Sequence, residues 1–425
     1  MNERLYLRSP SINVCFRVII GGTLDKNKVK EALEKICIKH PLLNCSLKID
    51  NGNNAWLVQS CGLSIECYKS TEIDWQTWYK TNDNIPFDFL KGPLVKFCVI
   101  NGKDTEIIIL GHHIIGDGIG YLNLVKDILL ALDNKIDANQ ELPPFKPEEK
   151  YFKETILLEQ PAKDYAQRLN GEWRKNRTCF TEKDYNDFFK KYRKTYNPNL
   201  YTASLEGDSV KKLLEKSKSN GLTVNEVITS AFSVALMETL DREELRVGVA
   251  ANIRNDLVSE PNNCMGNFVT GIAAKVTRNL ENDFISKAKD TAIILKEQLL
   301  NTKNRHLAVH FLNEFDKDLI ESIMFAAYGN FEHHVSKKLA ELIGEQLENK
   351  GLGISNLGKY DFNNYENINV LDIQFIGPAF PANLLTVGII TVNNKVNVCF
   401  RFNESEIKEK KIKKIFEKAL EIMNI

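Results

Sequence analysis

One polar, proline-bearing run, NKIDANQELPPFKPEEK at 134–150, interrupts a chain that otherwise alternates short apolar runs with helical patterns. Polar stretches rich in proline between periodic segments mark linkers. The same strand-and-helix grammar is read on both sides of it. We therefore expect a mixed α/β fold of two similar units, residues 1–175 and 176–425, and a chain of 425 residues is long enough for both at roughly 100–200 residues per domain. Two such units packed together place a cleft at their interface, a common location for a site.

In the first half, Ile12 to Ile20 is a β-branched apolar run ending at Gly21-Gly22. Asp25 offers an N-cap, and Val29, Ala32, Leu33 and Ile36 follow at helical spacing. His40-Pro41 closes that helix, because a residue before proline avoids the α region. Leu42 to Ile49, Ala55 to Gln59, Leu94 to Ile100 and Glu106 to His112 read as strands, the last two joined by a turn at Asn101-Gly102. Tyr121 to Leu132 reads as a helix. Beyond the linker, a charged and helical stretch runs to about residue 195.

In the second half, Leu200 to Leu205 is strand-like, and Thr223 to Leu240 is a helix with Thr223 and Glu226 in a capping box. Strands are expected at Leu245 to Ala251, Phe268 to Val276, Gly353 to Asn356, Val370 to Ile376, Leu384 to Val392 and Val396 to Phe402, with a helix at Phe284 to Leu300. Asn403 and Glu406 are expected to cap the final helix, and Ile407, Ile412, Ile415, Phe416 and Leu420 to line its buried side.

Composition excludes several function classes. Lys plus Arg equals Asp plus Glu at 56 each, so nothing favours nucleic acid or an anionic membrane as partner. No run of about 18 apolar residues is present, so no transmembrane helix is expected. The nine cysteines are dispersed and form no CxxC pair, which disfavours zinc and thioredoxin chemistry and fits a reducing cytoplasm. There is no GxSxG elbow, GxGxxG fingerprint or Walker A loop.

The chemistry concentrates in Gly111-His112-His113-Ile114-Ile115-Gly116-Asp117-Gly118, between the most apolar strand of the first half and a helix. Strand neighbours point to opposite faces, so only one of the two histidines can enter a given cleft, and the pair cannot readily share one metal ion. A histidine with an unperturbed pKa of about 6.5 is neutral at cytoplasmic pH and suits a general base toward an alcohol or amine. A lone histidine at a strand end is ordinarily structural. The four fixed positions of HHxxxDG would arise by chance in such a chain only about 0.003 of the time, which favours the functional reading. His333-His334 repeats the dyad without the Asp-Gly turn and reads as surface or packing in a helix.

HHIIGDG resembles the HHxxxDG signature of the chloramphenicol-acetyltransferase-like superfamily, which includes peptide-synthetase condensation domains, alcohol acetyltransferases and polyketide-associated acyltransferases. The resemblance extends over most of the chain, through FRVIIGGTLDKNKVKEALEKICIKHPLLNCSL, IPFDFLKGPLVKFCVI, GLTVNEVITSAFSVAL, VGVAANIRND, MGNF and GISNLG. It implies two acetyltransferase-like subdomains in a V with a tunnel between them, in a chain that acts as a monomer. It implies His113 as general base at the tunnel centre, with His112 and Gly118 supporting the motif, Asp117 paired with Arg254, and Ser355 or Asn356 as a hydrogen-bond donor to an oxyanion. Asp117 is grouped with His113 as catalytic on this resemblance. No metal and no bound cofactor are implied. The donor would be an acyl-CoA or a phosphopantetheinyl thioester, and an acyl or peptidyl carrier protein would be the partner in the second case.

The plant-type DFGWG element is absent, and KYDFNN at 359–364 is a poor match for it. Three readings follow. The first is a stand-alone acyltransferase using acyl-CoA and an alcohol or amine. The second is a peptide-synthetase-type condensation enzyme forming an amide from carrier-bound substrates. The third is an inert relative that only binds acyl chains or carriers, against which the intact HHxxxDG argues.

Overall fold

The computed structural model describes residues 2–50, 53–60, 62–136, 151–154, 156–259, 261–278, 283–345 and 349–425. Most of the linker reading at 134–150 lies outside them. The first half runs α1 (Asn2–Tyr6), β1 (Asn13–Ile20), α2 (Lys26–Lys39), β2 (Cys45–Ile49), β3 (Ala55–Gln59), β4 (Ile65–Lys69) and α3 (Trp75–Asp83). It continues with β5 (Val95–Asn101), β6 (Thr105–His112), α4 (Gly118–Leu132), α5 (Gln160–Trp173) and α6 (Glu182–Thr195). Asp25 caps α2 by accepting from the backbone N–H groups of Asn27 and Lys28, and Val29, Ala32, Leu33 and Ile36 are its buried stripe. Leu42 and Leu43 do not extend β2. They form a 3-10 turn, Pro41–Asn44, because Pro41 at its start presets a helical φ.

The second half runs β7 (Pro198–Leu205), α7 (Asp208–Ser219), α8 (Val224–Leu240), β8 (Glu244–Asn252), β9 (Val269–Thr277), α9 (Phe284–Leu300), α10 (Thr302–Asn313), α11 (Lys317–Ala327) and α12 (His334–Leu342). It ends with β10 (Gly351–Tyr360), β11 (Val370–Ile376), β12 (Asn383–Val392), β13 (Lys395–Asn403) and α13 (Glu409–Met423). Thr223 and Glu226 form the expected capping box. The final helix departs from expectation, since α13 starts after Lys408 and has no side-chain cap. Asn403 Oδ1 instead accepts from the backbone N–H groups of Asn197 and Ser405, and Glu406 pairs with Lys350 at 2.6 Å. Asn197 and Lys350, distant in sequence, outcompete the local cap.

The strands form a five-stranded sheet ordered β11-β1-β6-β5-β4, a six-stranded sheet ordered β7-β13-β12-β10-β8-β9, and a separate β2-β3 ribbon. Sheet membership crosses the expected division at residues 175/176: β11, from the second half, pairs antiparallel with β1 in the first sheet. Gly388 of β12 lies where the strands of the two sheets pass closely, and a Cβ there would stand 2.4 Å from the Phe375 carbonyl oxygen of β11.

The first sheet is covered on both faces, which is why β6 reads as a nearly continuous apolar run. Val14, Phe16 and Val18 of β1 face the core shared with α2 and α4, while Cys15 faces Trp75, Trp78 and Tyr79 of α3. The second sheet packs one face against α8 and α13 through Val247, Val249, Ile354, Val387 and Phe400. A buried polar cluster ties the elements together: Asp83 accepts from Arg401 at 3.0 Å and from Asn13 at 2.9 Å, and Arg193 approaches it from α6. No helix among the described residues is long and apolar enough to cross a membrane.

Candidate active site

Strand β6 ends at His112, and the chain turns through 113–117 into α4. Tyr121 stabilises this turn by donating its hydroxyl to the His112 carbonyl at 3.0 Å. Only glycine at 111 permits that contact, because a Cβ there would lie 1.9 Å from the Tyr121 hydroxyl oxygen. The two histidines have separate surroundings, as strand alternation requires. His112 stands edge-on to Phe87 and Phe89, with ring centroids 6.0 and 5.1 Å away, and its Nδ1 accepts from the Ile114 N–H at 3.3 Å. Burial, with a smaller contribution from His113, pulls its pKa down to about 3, so it is a neutral packing residue.

His113 is buried beside Tyr6, with centroids 5.0 Å apart, and faces a cavity of about 290 Å³. Burial lowers its pKa below the ordinary histidine value, while Asp117, its own backbone carbonyl and Glu3 pull the other way. The imidazole is therefore neutral at neutral pH.

Asp117 is the N-cap of α4. Its Oδ1 accepts from the Gly120 N–H at 2.7 Å and its Oδ2 from the Phe268 N–H at 2.8 Å. Arg254 reaches the same carboxylate through both terminal nitrogens, at 2.8 and 2.9 Å, and lies over the Phe268 ring. Asp117 thus joins the motif turn to the β8–β9 connection. Gly118 lines the cavity, where a Cβ would stand 2.8 Å from Leu357 Cδ2.

Ser355 of β10 also lines the cavity, and its side chain makes no hydrogen bond among the described residues. Asn356 does not line it. Its side-chain nitrogen donates to Asn225 and its oxygen accepts from the Gly358 N–H, so the strand's alternation turns it away from His113.

The cavity exists because the second sheet carries small residues on one face. Gly248 and Ala250 of β8, Gly271 and Ala273 of β9, and Gly353 and Ser355 of β10 lie behind the core-facing Val247, Val249, Ile272 and Ile354. Sequence reading took these segments as strands without noticing that one side of the alternation was consistently small, a signal present in VGVAAN, TGIAAK and GLGIS. It also passed over Arg246, Glu345 and Tyr6, which share the cavity. The second dyad is remote from it: His333 packs on Trp173, and His334, the first residue of α12, meets Glu172 at 3.2 Å.

This mixed α/β architecture matches the fold of condensation domains and of an acetyltransferase among solved structures. The chain matches the Condensation domain profile over residues 2–307 and belongs to that family. Among curated proteins it is 26% identical over 282 residues to bacitracin synthase 3 of Bacillus licheniformis, covering 62% of this chain and 4% of the synthase. It is 22% identical over 334 residues to tyrocidine synthase 2 of Brevibacillus parabrevis, covering 73% of this chain and 9% of that protein. The chain thus spans less than a tenth of the length of these relatives. Among solved structures it is similar to the trichothecene 15-O-acetyltransferase of Fusarium sporotrichioides, with TM-score 0.68, 12% identity and coverage of 99% of this chain and 93% of that one. The first condensation domain of the calcium-dependent antibiotic synthetase, in complex with a substrate analogue, matches with TM-score 0.64, 11% identity and coverage of 99% and 92%.

Proposed function

We propose that this chain is an acyltransferase that moves an acyl group from a thioester to a hydroxyl or amine, with His113 as general base. The observation that carries the reading is a buried, neutral imidazole facing the cavity, in a motif turn held by an aspartate whose oxygens are engaged elsewhere. The reaction uses the tautomer with the proton on Nδ1, which makes no hydrogen bond among the described residues, and the lone pair on Nε2.

Nε2 takes the proton from the acceptor O–H or N–H as that oxygen or nitrogen bonds to the thioester carbonyl carbon. The carbonyl electron pair moves onto its oxygen, and the Ser355 hydroxyl is a donor for that oxyanion. One such donor is worth about 3–4 kcal/mol of barrier. Collapse re-forms the C=O bond and breaks the C–S bond, and the imidazolium returns the proton to the departing thiolate. Asp117 and Arg254 are positioning residues here: they hold the turn and do not touch the reacting atoms. His112 fills the core behind it.

The donor is an acyl-CoA or a phosphopantetheinyl thioester on a carrier protein. The peptide synthetases among the relatives support carrier-bound substrates and amide formation as the second version of this chemistry. The 15-O-acetyltransferase among the structures of this fold favours the hydroxyl version.

The test is thiol release from a panel of acyl-CoAs and of acyl-pantetheinyl carrier proteins, each with mixed alcohols and amines, for the wild type and His113→Ala. Acceptor-dependent release that falls at least about 100-fold in the variant supports the reading. Silence of both proteins with both donor classes leaves only the inert, acyl-binding relative.

A further inference from the structure

Among the described residues, Arg246 and Glu345 are the only ones lining the cavity, apart from His113, that carry a formal charge or can gain one near neutral pH. The Arg246 side chain makes no hydrogen bond or ion pair among the described residues. The cation directly opposite on β9, Lys275, is already paired with Glu244, and Arg401, further along the same face, with Asp83. Two glycines keep the space beside the guanidinium clear: a Cβ at Gly344 would lie 3.0 Å from one terminal nitrogen, and one at Gly248 would lie 3.5 Å from the other. A guanidinium left unpaired in a cleft is a fork of donors in search of a planar oxyanion.

The strand ladder measures how far this group stands from the chemistry. Gly248 pairs with Gly353 and Ser355 is two residues further on, so the guanidinium, which lies beside Gly248, stands about 7 Å from the Ser355 row at 3.3 Å per residue. The cavity of about 290 Å³ is at the small end of ligand pockets, which span about 300–1,000 Å³. A molecule bridging these two ends is small.

We propose that Arg246 is a specificity-determining residue that binds the carboxylate of a small acceptor, an amino acid or hydroxy acid whose amine or hydroxyl reaches His113. The inference rests on the acyl-transfer reading above. Burial raises the Glu345 pKa to about 7, against the pull of Arg246 and a hydrogen bond from the Ala382 N–H, so the neighbouring carboxyl does not cancel the guanidinium charge below neutrality. A neutral Glu345 is itself a donor to a bound carboxylate. A phosphate dianion fits less well beside an acidic group that ionises near pH 7.

The test is isothermal titration of free amino acids and hydroxy acids, each against its carboxamide, into the wild type, Arg246→Gln, Arg246→Lys and His113→Ala. The wild type is expected to prefer acids at least about tenfold, the worth of a charge-assisted hydrogen bond. Arg246→Gln loses the preference, Arg246→Lys keeps part of it, and His113→Ala keeps all of it. Equal affinity for acids and amides, no binding of either, or a preference that survives Arg246→Gln overturns the proposal. A companion transfer assay with Arg246→Gln that raises the donor KM alone overturns it too, by assigning the guanidinium to the donor phosphate. Acid-selective binding in a protein that transfers no acyl group removes the acyl-transfer reading and leaves the carboxylate site standing.

Discussion

Arg254, from the connection after β8, closes both terminal nitrogens on the carboxylate of Asp117 at 2.8 and 2.9 Å, and both side chains are buried. The pair spans 137 residues of sequence and fastens the His113 turn to the second sheet. Breaking a buried pair by removing one partner typically costs about 3–5 kcal/mol, because the other charge is left without compensation. Asp117→Ala is expected to lose that much in urea unfolding, since it also strips acceptors from the Gly120 and Phe268 N–H groups. Asp117→Asn keeps an acceptor at the N-cap and is expected to lose less. Equal stability of Asp117→Ala and wild type would show that the pair does not hold the turn.

The pH dependence of kcat reports on His113. The base works when neutral, so its activity falls as pH drops through its pKa, and burial places that pKa below the ordinary histidine value of about 6.5. Transfer by the wild type is therefore expected to be flat from neutrality to below pH 6.5, with the acidic limb beneath that. Glu345, held up at about 7, ionises in the same region, and its effect belongs in the KM of an acidic acceptor, which rises above pH 7 as a second negative charge appears beside Arg246. Among the described residues, Arg246 from β8 and the Tyr6 phenol from α1 are the ionisable groups that face it. A kcat limb centred above pH 6.5 would point to a different base.

Gly271 lines the cavity, and a Cβ added there meets nothing within 4 Å. Gly271→Leu extends a side chain into that space without displacing core atoms. We expect circular dichroism and the unfolding midpoint to stay close to wild type while transfer falls at least about tenfold, as a filled site excludes its substrate. Gly271→Ala is expected to be mild. Full activity in Gly271→Leu would place the reacting substrates outside this cavity.

Much of the chain was legible without coordinates because its local signals agree with its tertiary fate. Ala55–Gln59, Phe284–Leu300 and Val370–Ile376 fall where periodicity placed them, and Thr223 and Glu226 cap the helix they were expected to cap. The HHxxxDG segment and its Asp117–Arg254 partnership were also readable, the second through resemblance. β4, α3, α7 and the helices between residues 302 and 327 were passed over, since their apolar positions acquire meaning only against the sheets they cover. Asn403 and Glu406 were misassigned because partners distant in sequence, Asn197 and Lys350, compete with a local cap.

The amino-acid sequence by itself determined the strand-and-helix alternation, the histidine pair and the turn that follows it, because these depend on residue periods and neighbours a few positions apart. Tertiary structure decided which histidine meets a cavity and that β11 joins the first sheet. It also decided that Ser355 faces the site while Asn356 turns away, and that the Arg246 side chain has no partner among the described residues and stands beside Glu345. Those outcomes depend on which faces meet across hundreds of residues, and the same small-residue alternation reads equally well as a plain strand until a second sheet stands opposite it.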